Sequence, residues 1–389
     1  MSVRVDPGLV EELRAFGGET ASRCFNCGNC TAVCSLSGGE RGATFPRRFI
    51  RYVQLGLAEK MDASVDPWLC YYCGDCSNTC PRDAQPGNLM MASRRWLTSR
   101  YDWTGLSKLM YRRPLAELLA LAVVAAVVLL LFTLPEGFGF RLLAGHPEAR
   151  GSVNLAYFAP KGIVHWGDMA LAALLGVLLL SNAARMLAFN LPRIQAPLWA
   201  YVAELKQLVI HGLTQKRWRC CEPDATRHWL RHLLLVTGYG TMFALVVVFL
   251  HWFQVEDASF HWTALLGYYS TLVLLGATLW ISRDRLAKRE QIHRHSDLSD
   301  WLFVVLLFLT SLTGILLHLF RLADMPMPTY VMYVVHLMIA VPMLVVEVPF
   351  SKWSHLLYRP LALYLEAVQA RALAQAPQPA PLAPTPAQA

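Results

Sequence analysis

From residue 115 onward the chain alternates long apolar runs with short charged loops, whereas residues 1–113 carry charges throughout. Six runs, at approximately 115–134, 163–187, 229–253, 262–281, 301–319 and 330–348, each approach the ~20 residues a helix needs to cross ~30 Å of hydrocarbon. In the front quarter, LVEELRAF reads as a short helix. Phe49, Tyr52, Val53, Leu55 and Leu57 follow Pro46 at roughly helical spacing. No period-two alternation is present, so the expected fold class is all-α. YRRP at 111–114 forms a basic collar ahead of the first apolar run.

Composition sharpens this picture. The chain of 389 residues is 55% hydrophobic and 16% charged, more apolar and less charged than an ordinary soluble protein. The net charge of +8 suggests nucleic acid only until the basic residues are located, because they form no single stripe. Arg193, Lys206, Lys216, Arg217, Arg219 and Arg227 lie in the loop at 188–228. Arg283, Arg285, Lys288, Arg289 and Arg294 lie in the loop at 283–300, while VEDASFH between the third and fourth runs has no Lys or Arg. The positive-inside bias then puts the N-terminal part, both basic loops and the C-terminus in the cytoplasm, in an inner-membrane protein of six spans. The opening residues contain no apolar signal core, which agrees with that orientation. The closing AQAPQPAPLAPTPAQA reads as a disordered Pro/Ala-rich tail. The expected domains are 1–110, 111–360 and a tail at 361–389.

The soluble front carries the chemistry. CFNCGNCTAVC at 24–34 and CYYCGDCSNTC at 70–80 are two copies of C-x2-C-x2-C-x3-C. Such a run holds a [4Fe–4S] cluster with its first three thiolates and contributes its fourth to the other cluster. The expected ligands are therefore Cys24, Cys27, Cys30 and Cys80 for one cluster, and Cys70, Cys73, Cys76 and Cys34 for the second. Gly28 and Gly74 follow the second cysteines, where the backbone bends near sulfide. Pro81 after Cys80 fits the pattern, and Ser35 after Cys34 departs from it. Structural zinc prefers two C-x2-C pairs split by a longer knuckle. Cytoplasmic thiols are seldom structural disulfides. Cys220 and Cys221 have no partner at ligand spacing and read as free thiols. The front is thus expected to be an α-helical two-cluster ferredoxin.

Histidines mark the membrane block. Ionisable groups there are costly and usually functional. His232 and His251 lie 19 residues apart on the third run, and His336 and His355 lie 19 apart on or beyond the sixth. On uninterrupted helices each step spans about 28 Å, so antiparallel spans offer two pairs at matching depths. Bis-imidazole pairs of that kind suit haem b, one haem near each face, in a cytochrome b type bundle. The inner pair would be His232 and His355, with Arg227, Arg231, Lys352 and Arg359 near enough for propionates. The outer pair would join His336 to His251. Gly238 and Gly240 suit either a flat macrocycle or helix packing. A quinone site near the outer haem would draw on His251, Glu256, Asp257, His261 or Arg321 for protons.

HLMIAVPMLVVEVPFSKWSHLLYRP, with His336, Pro349, Phe350 and His355, resembles the last helix of the nitrate reductase gamma subunit family. There an outer His and a final His after a Pro-Phe exit ligate two different haems. RHLLLVTGYG, with His232, resembles the helix supplying the inner haem's other ligand. Where that family has a second His about three turns on, this chain has Met242. The outer haem's second ligand thus stays open among His251, Met242, His165 and His318. The front resembles the C subunit of heterodisulfide reductase and the membrane part its E subunit. Their fusion, over roughly 15–360, resembles the family of C subunits of quinone-interacting membrane-bound oxidoreductase complexes. That resemblance implies electron exchange between menaquinol or menaquinone and soluble flavin- and iron–sulfur-containing partner subunits, serving adenylylsulfate reductase in dissimilatory sulfur metabolism. The chain would then be an oxidoreductase subunit with no complete reaction of its own. The alternative is a heterodisulfide-reductase-like or sulfite-reductase-linked thiol/disulfide complex. A transporter with a redox head lacks the expected internal repeats, and a bare anchor leaves the histidines unexplained.

Overall fold

A computed structural model of the chain describes residues 4–37, 45–134, 138–219, 225–253, 261–289, 293 and 296–375. Among these, every regular element is a helix. Six helices are long and apolar enough to cross a membrane: Pro114–Thr133, Lys161–Arg193, Ala225–Val247, Thr263–Leu286, Leu298–Leu322 and Pro326–Phe350. In chain order these are the first to sixth spans. Their outward faces carry apolar side chains such as Leu115, Val177, Leu180 and Leu272. In lipid that exposure is the favourable state.

The front folds around short helices whose apolar faces meet in one core. Leu9, Leu13, Phe49, Ile50, Val53, Met61, Trp68 and Trp96 are all buried there. Pro86–Tyr101 is its longest helix, and it leads through Leu106–Arg112 into the first span. Arg113 adopts an extended backbone before Pro114, as the residue before a proline favours.

Three expectations fail, two of them on local physics. The third span ends at Val247, and His251 falls in a separate turn, Leu250–Phe253. The break falls within three consecutive valines, 246–248, whose branched Cβ atoms weaken helices, and the amides of Val248 and Phe249 both close on the Ala244 carbonyl. The sixth span is interrupted as well. Residues Met343–Glu347 form a π turn, and Ser351 leaves the helical region before Lys352–Ser354 and a new helix from His355. Pro342 and Pro349 each lack an N–H, and a proline ring crowds the carbonyl four residues back; a widened turn relieves both. A rise of 1.5 Å per residue therefore measures neither 19-residue step.

The third correction concerns the tail. His355–Gln375 is one helix, so residues 361–375 are structured, and 376–389 lie outside the described residues. Tyr358, Ala362, Leu363 and Leu365 join the core of the front domain. Tyr358 stacks obliquely on Trp68 and Tyr101, with ring centroids 5.0 and 5.1 Å away. Residues 361–375 contain no proline, and their leucines and alanines fall at helical spacing. The Tyr358→Ala chain is expected to lose about 3–5 kcal/mol of local stability, as for a buried aromatic. Limited proteolysis should then cleave between the front domain and the first span at lower protease concentration.

The front domain sits against one end of the membrane block. Arg95 pairs with Asp297 and lies 3.7 Å from Asp300. Trp103 donates to Ser181 at 3.0 Å, and Arg193 to the Glu59 carbonyl at 3.2 Å. The N-terminal domain, both basic loops and the C-terminal helix thus share one side. The basic loop after the second span is itself helical, over Leu198–Glu204, Lys206–Thr214 and Lys216–Arg219.

Candidate functional site

The two cysteine runs adopt the same backbone. Asn26 and Tyr72, each two residues after the first cysteine, have φ of 69° and 62°, and Gly28 and Gly74 have φ of 94° and 91°. Two left-handed residues at matched places curl each loop, and the glycine of each pair accepts that conformation without a Cβ clash. Each loop then enters a short helix, Asn29–Val33 or Asp75–Asn78. The amides of Asn26, Tyr72 and Ala84 point at the sulfurs of Cys24, Cys70 and Cys80, at 3.4, 3.3 and 3.3 Å.

The eight thiols are unbridged and fall into two groups across the runs. Cys30 lies within electrostatic reach of Cys24, Cys27 and Cys80, while Cys34 neighbours Cys70, and Cys76 neighbours Cys70, Cys73 and Cys34 and, less strongly, Cys30 of the other group. Among the described residues no three His, Cys, Asp or Glu side chains gather tightly enough for a single ion. A cubane instead takes each thiolate on a different iron. Burial pushes the Cys73 thiol up to about 12 and raises Cys30, Cys34 and Cys76 as well; a coordinated metal would hold such thiols deprotonated. Cys220 and Cys221 lie outside the described residues.

Beside the second group opens a cavity of ≈ 530 Å³, within the range of cofactor sites. Cys73 lines it from the front domain, His228 and His232 from the third span, and His355 from the C-terminal helix. The His355 Nδ1 meets the Lys352 carbonyl at 2.5 Å. That bond fixes the proton on Nδ1 and leaves Nε2 as an unprotonated donor atom. Burial lowers the affinity of His355 for a second proton, to about 4. Among the described residues, nothing partners the buried Nδ1 of His232. Trp218 packs on the His232 ring at 4.7 Å. Gly240 also lines the cavity, and a Cβ there would meet open space, whereas a Cβ at Gly238 would lie 2.6 Å from Val273. The two glycines therefore divide the roles, one facing the cavity and one packing the fourth span.

The anticipated cations divide too. Arg231, Lys352 and Arg359 line the cavity. Arg227 does not line it; it pairs with buried Asp284 at 2.9 Å, which Arg231 also reaches at 3.1 Å, and sits over Trp280. Arg94 was not anticipated; it lines the cavity and donates to the carbonyls of Pro67 and Cys70. Burial, with Arg94 and Arg217 nearby, lowers Arg359 to about 9. A cavity so rich in buried cations suits an anionic group.

The outer histidines are not gathered in this way. His336 meets the Thr313 hydroxyl through Nδ1 at 2.9 Å, and His318 meets Tyr268 through Nε2 at 2.7 Å. His261 bonds Thr263 at 2.9 Å, and His165 lies beside Trp166. The side chain of His251, with Glu256 and Asp257, lies outside the described residues. The structure thus brings together His232 and His355 of the four anticipated ligands.

Residues 23–84 match the family of 4Fe-4S dicluster domains. The class is therefore an iron–sulfur electron-transfer domain on a block of six helices fit to cross a membrane. Its front is related to the C subunits of heterodisulfide reductases. It is 30% identical to a protein of Archaeoglobus profundus described as like the C subunit of heterodisulfide reductase, over 24% of this chain and 49% of that protein. It is 30% identical to the C subunit of the H(2):CoB-CoM heterodisulfide,ferredoxin reductase of Methanothermobacter marburgensis, over 23% and 48%. It is 37% identical to an iron-sulfur C subunit of the CoB–CoM heterodisulfide reductase of Methanocaldococcus jannaschii, over 18% and 45%. The chain spans about half the length of these curated relatives. No solved structure matches it.

Proposed function

We propose that the chain is the membrane electron-transfer subunit of a quinone-linked oxidoreductase, exchanging electrons between menaquinol or menaquinone and cytoplasmic flavin/iron–sulfur partner subunits. The observation that carries this reading is one cavity lined both by Cys73 and by His232 with His355. A cysteine of the second run and two imidazoles then line the same space. In the crossed arrangement Cys24, Cys27, Cys30 and Cys80 hold the first [4Fe–4S] cluster, and Cys70, Cys73, Cys76 and Cys34 the second, nearer the membrane.

The cavity fits haem b. His232 and His355 would bind the iron, His355 in the tautomer that its Lys352 contact selects. Arg94, Arg231, Lys352 and Arg359 supply the positive charge that propionates need. Gly240 leaves open space that a flat ring would use. Bound there, haem b supplies a one-electron couple, which lets a two-electron quinol meet one-electron clusters. The chain's own work is to fix these groups in line and keep water from them. His336, held through Nδ1 by Thr313, is the candidate ligand for a second, outer haem.

With the cluster domain and both basic loops on one side, the positive-inside bias favours the cytoplasm for that side. Adenylylsulfate reductase of dissimilatory sulfur metabolism is the proposed ultimate partner. The names of the relatives favour a second reading, a heterodisulfide-type complex whose thiol/disulfide chemistry takes place in another subunit. The test is a dithionite-reduced minus air-oxidised visible spectrum of the purified chain, with iron and haem measured on the same sample. Haem b bands with about eight non-haem irons are expected from two [4Fe–4S] clusters. An iron-replete chain without haem bands would refute the cytochrome reading.

A further inference from the structure

Two carboxyl groups meet inside the protein at the end of the membrane block that carries the cluster domain. Glu117, early in the first span, is 1% exposed. Its oxygens accept the Ser299 hydroxyl at 2.8 Å and the Ser351 hydroxyl. Glu347 closes the π turn of the sixth span and is 0% exposed, with its carboxyl against Glu117 and near Ser351. The one proton of the nearby Ser351 hydroxyl goes to Glu117, and among the described residues no other donor bonds either oxygen of Glu347.

Leaving a buried carboxylate without a donor is costly, and two adjacent carboxylates in a low-dielectric interior do not both ionise. One proton resolves both problems. Protonated Glu347 becomes the missing donor, and ionised Glu117 accepts its O–H beside the two serine hydroxyls. Neither residue was anticipated as a site. The available signal was a lone Glu in each of two apolar runs.

The pair lies behind residues that line the cavity. Ser299 and Ser351 directly precede Asp300 and Lys352, which are ion-paired, and Arg95 lies 3.7 Å from Asp300. Asp300, Lys352 and Arg95 all line the cavity. So does Tyr111, from the helix Leu106–Arg112, within electrostatic reach of both glutamates. These are the charged and titratable groups around the pair: Tyr111, Asp300 of the fifth span, Lys352 of the exit and Arg95 of the front domain. Lys352 and Arg95 are matched by Asp300 and Asp297, so on this side of the cavity the glutamates carry the charge that no ion pair balances. The Asp297 side chain is 52% exposed and marks where this network meets solvent.

We propose that Glu117 and Glu347 form a redox-linked proton site, holding one proton when the cofactor in the adjacent cavity is oxidised and two when it is reduced. One electron enters the cofactor from quinol or from the clusters. One proton from solvent on the cluster-domain side goes to the Glu117 carboxylate, and both depart on reoxidation. This rests on reading the cavity as a redox-cofactor site.

The test uses the full chain in its original form and as Glu117→Gln, Glu347→Gln and Glu347→Asp. The visible midpoint potential is titrated across pH, and reduced-minus-oxidised infrared spectra are taken in H2O and D2O. The unaltered chain should show a potential that falls as pH rises, and a carboxylic-acid C=O band that grows on reduction and shifts in D2O. Both should vanish in the Gln variants and persist in Glu347→Asp over a displaced pH range. Iron content and the visible band report folding of each variant. A potential independent of pH, or a pH dependence that survives both Gln variants, overturns the proton site and leaves the electron-transfer reading standing. A chain with no visible-absorbing cofactor overturns both, and the absent band distinguishes that case.

Discussion

The His355→Ala chain is expected to lose the inner haem while retaining about eight non-haem irons. His355 is the better oriented of the two imidazoles: its Nδ1 is tied to the Lys352 carbonyl at 2.5 Å and its Nε2 is left for a metal. Alanine removes that donor atom and nothing else in the ring's place can supply it. His232→Ala should have the same spectral result, because both side chains line one cavity. His318→Ala is the control, since that ring is engaged with Tyr268, and it should leave the inner haem bands in place. A reduced-minus-oxidised spectrum reads all three. Full haem content in His355→Ala would remove this residue from the site.

Cysteine variants should sort by cluster and not by sequence run. Cys34→Ser is expected to lose the same cluster as Cys76→Ser, and Cys80→Ser the same one as Cys24→Ser. Each variant should retain about half of the iron, and the surviving cluster should give one EPR signature within each pair. The grouping rests on Cys34 lying with Cys70 and Cys76, and Cys80 with Cys30. Fourth cysteines leave their own loop along a short helix, which carries the thiol toward the other cluster. If Cys34→Ser instead matched Cys24→Ser, ligation would be uncrossed.

The cysteine repeats and the six spans were legible because each is a local pattern. A tight loop of C-x2-C-x2-C needs only its own residues and a glycine at positive φ, and a span needs only ~20 apolar positions. His232 and His355 were legible for a related reason, as costly polar groups near apolar runs. His336 and His251 were paired by counting helical rise, and that count failed where valines and prolines broke the helices. The reading of 361–375 as tail failed because the Pro/Ala character of the last residues was extended back over a proline-free stretch of helix whose partners lie far away in the chain.

By itself, the sequence determined the all-α class, the eight sulfurs, the apolar spans and the imidazoles near them, since short-range periodicity and ligand chemistry settle those. Tertiary structure alone decided that Cys73 and His355 share a cavity, that Arg94 and not Arg227 reaches it, and that Glu117 meets Glu347. Those residues are separated by long stretches of chain. Their meeting depends on how the cluster domain, the first and sixth spans and the C-terminal helix pack, and no local pattern carries that information.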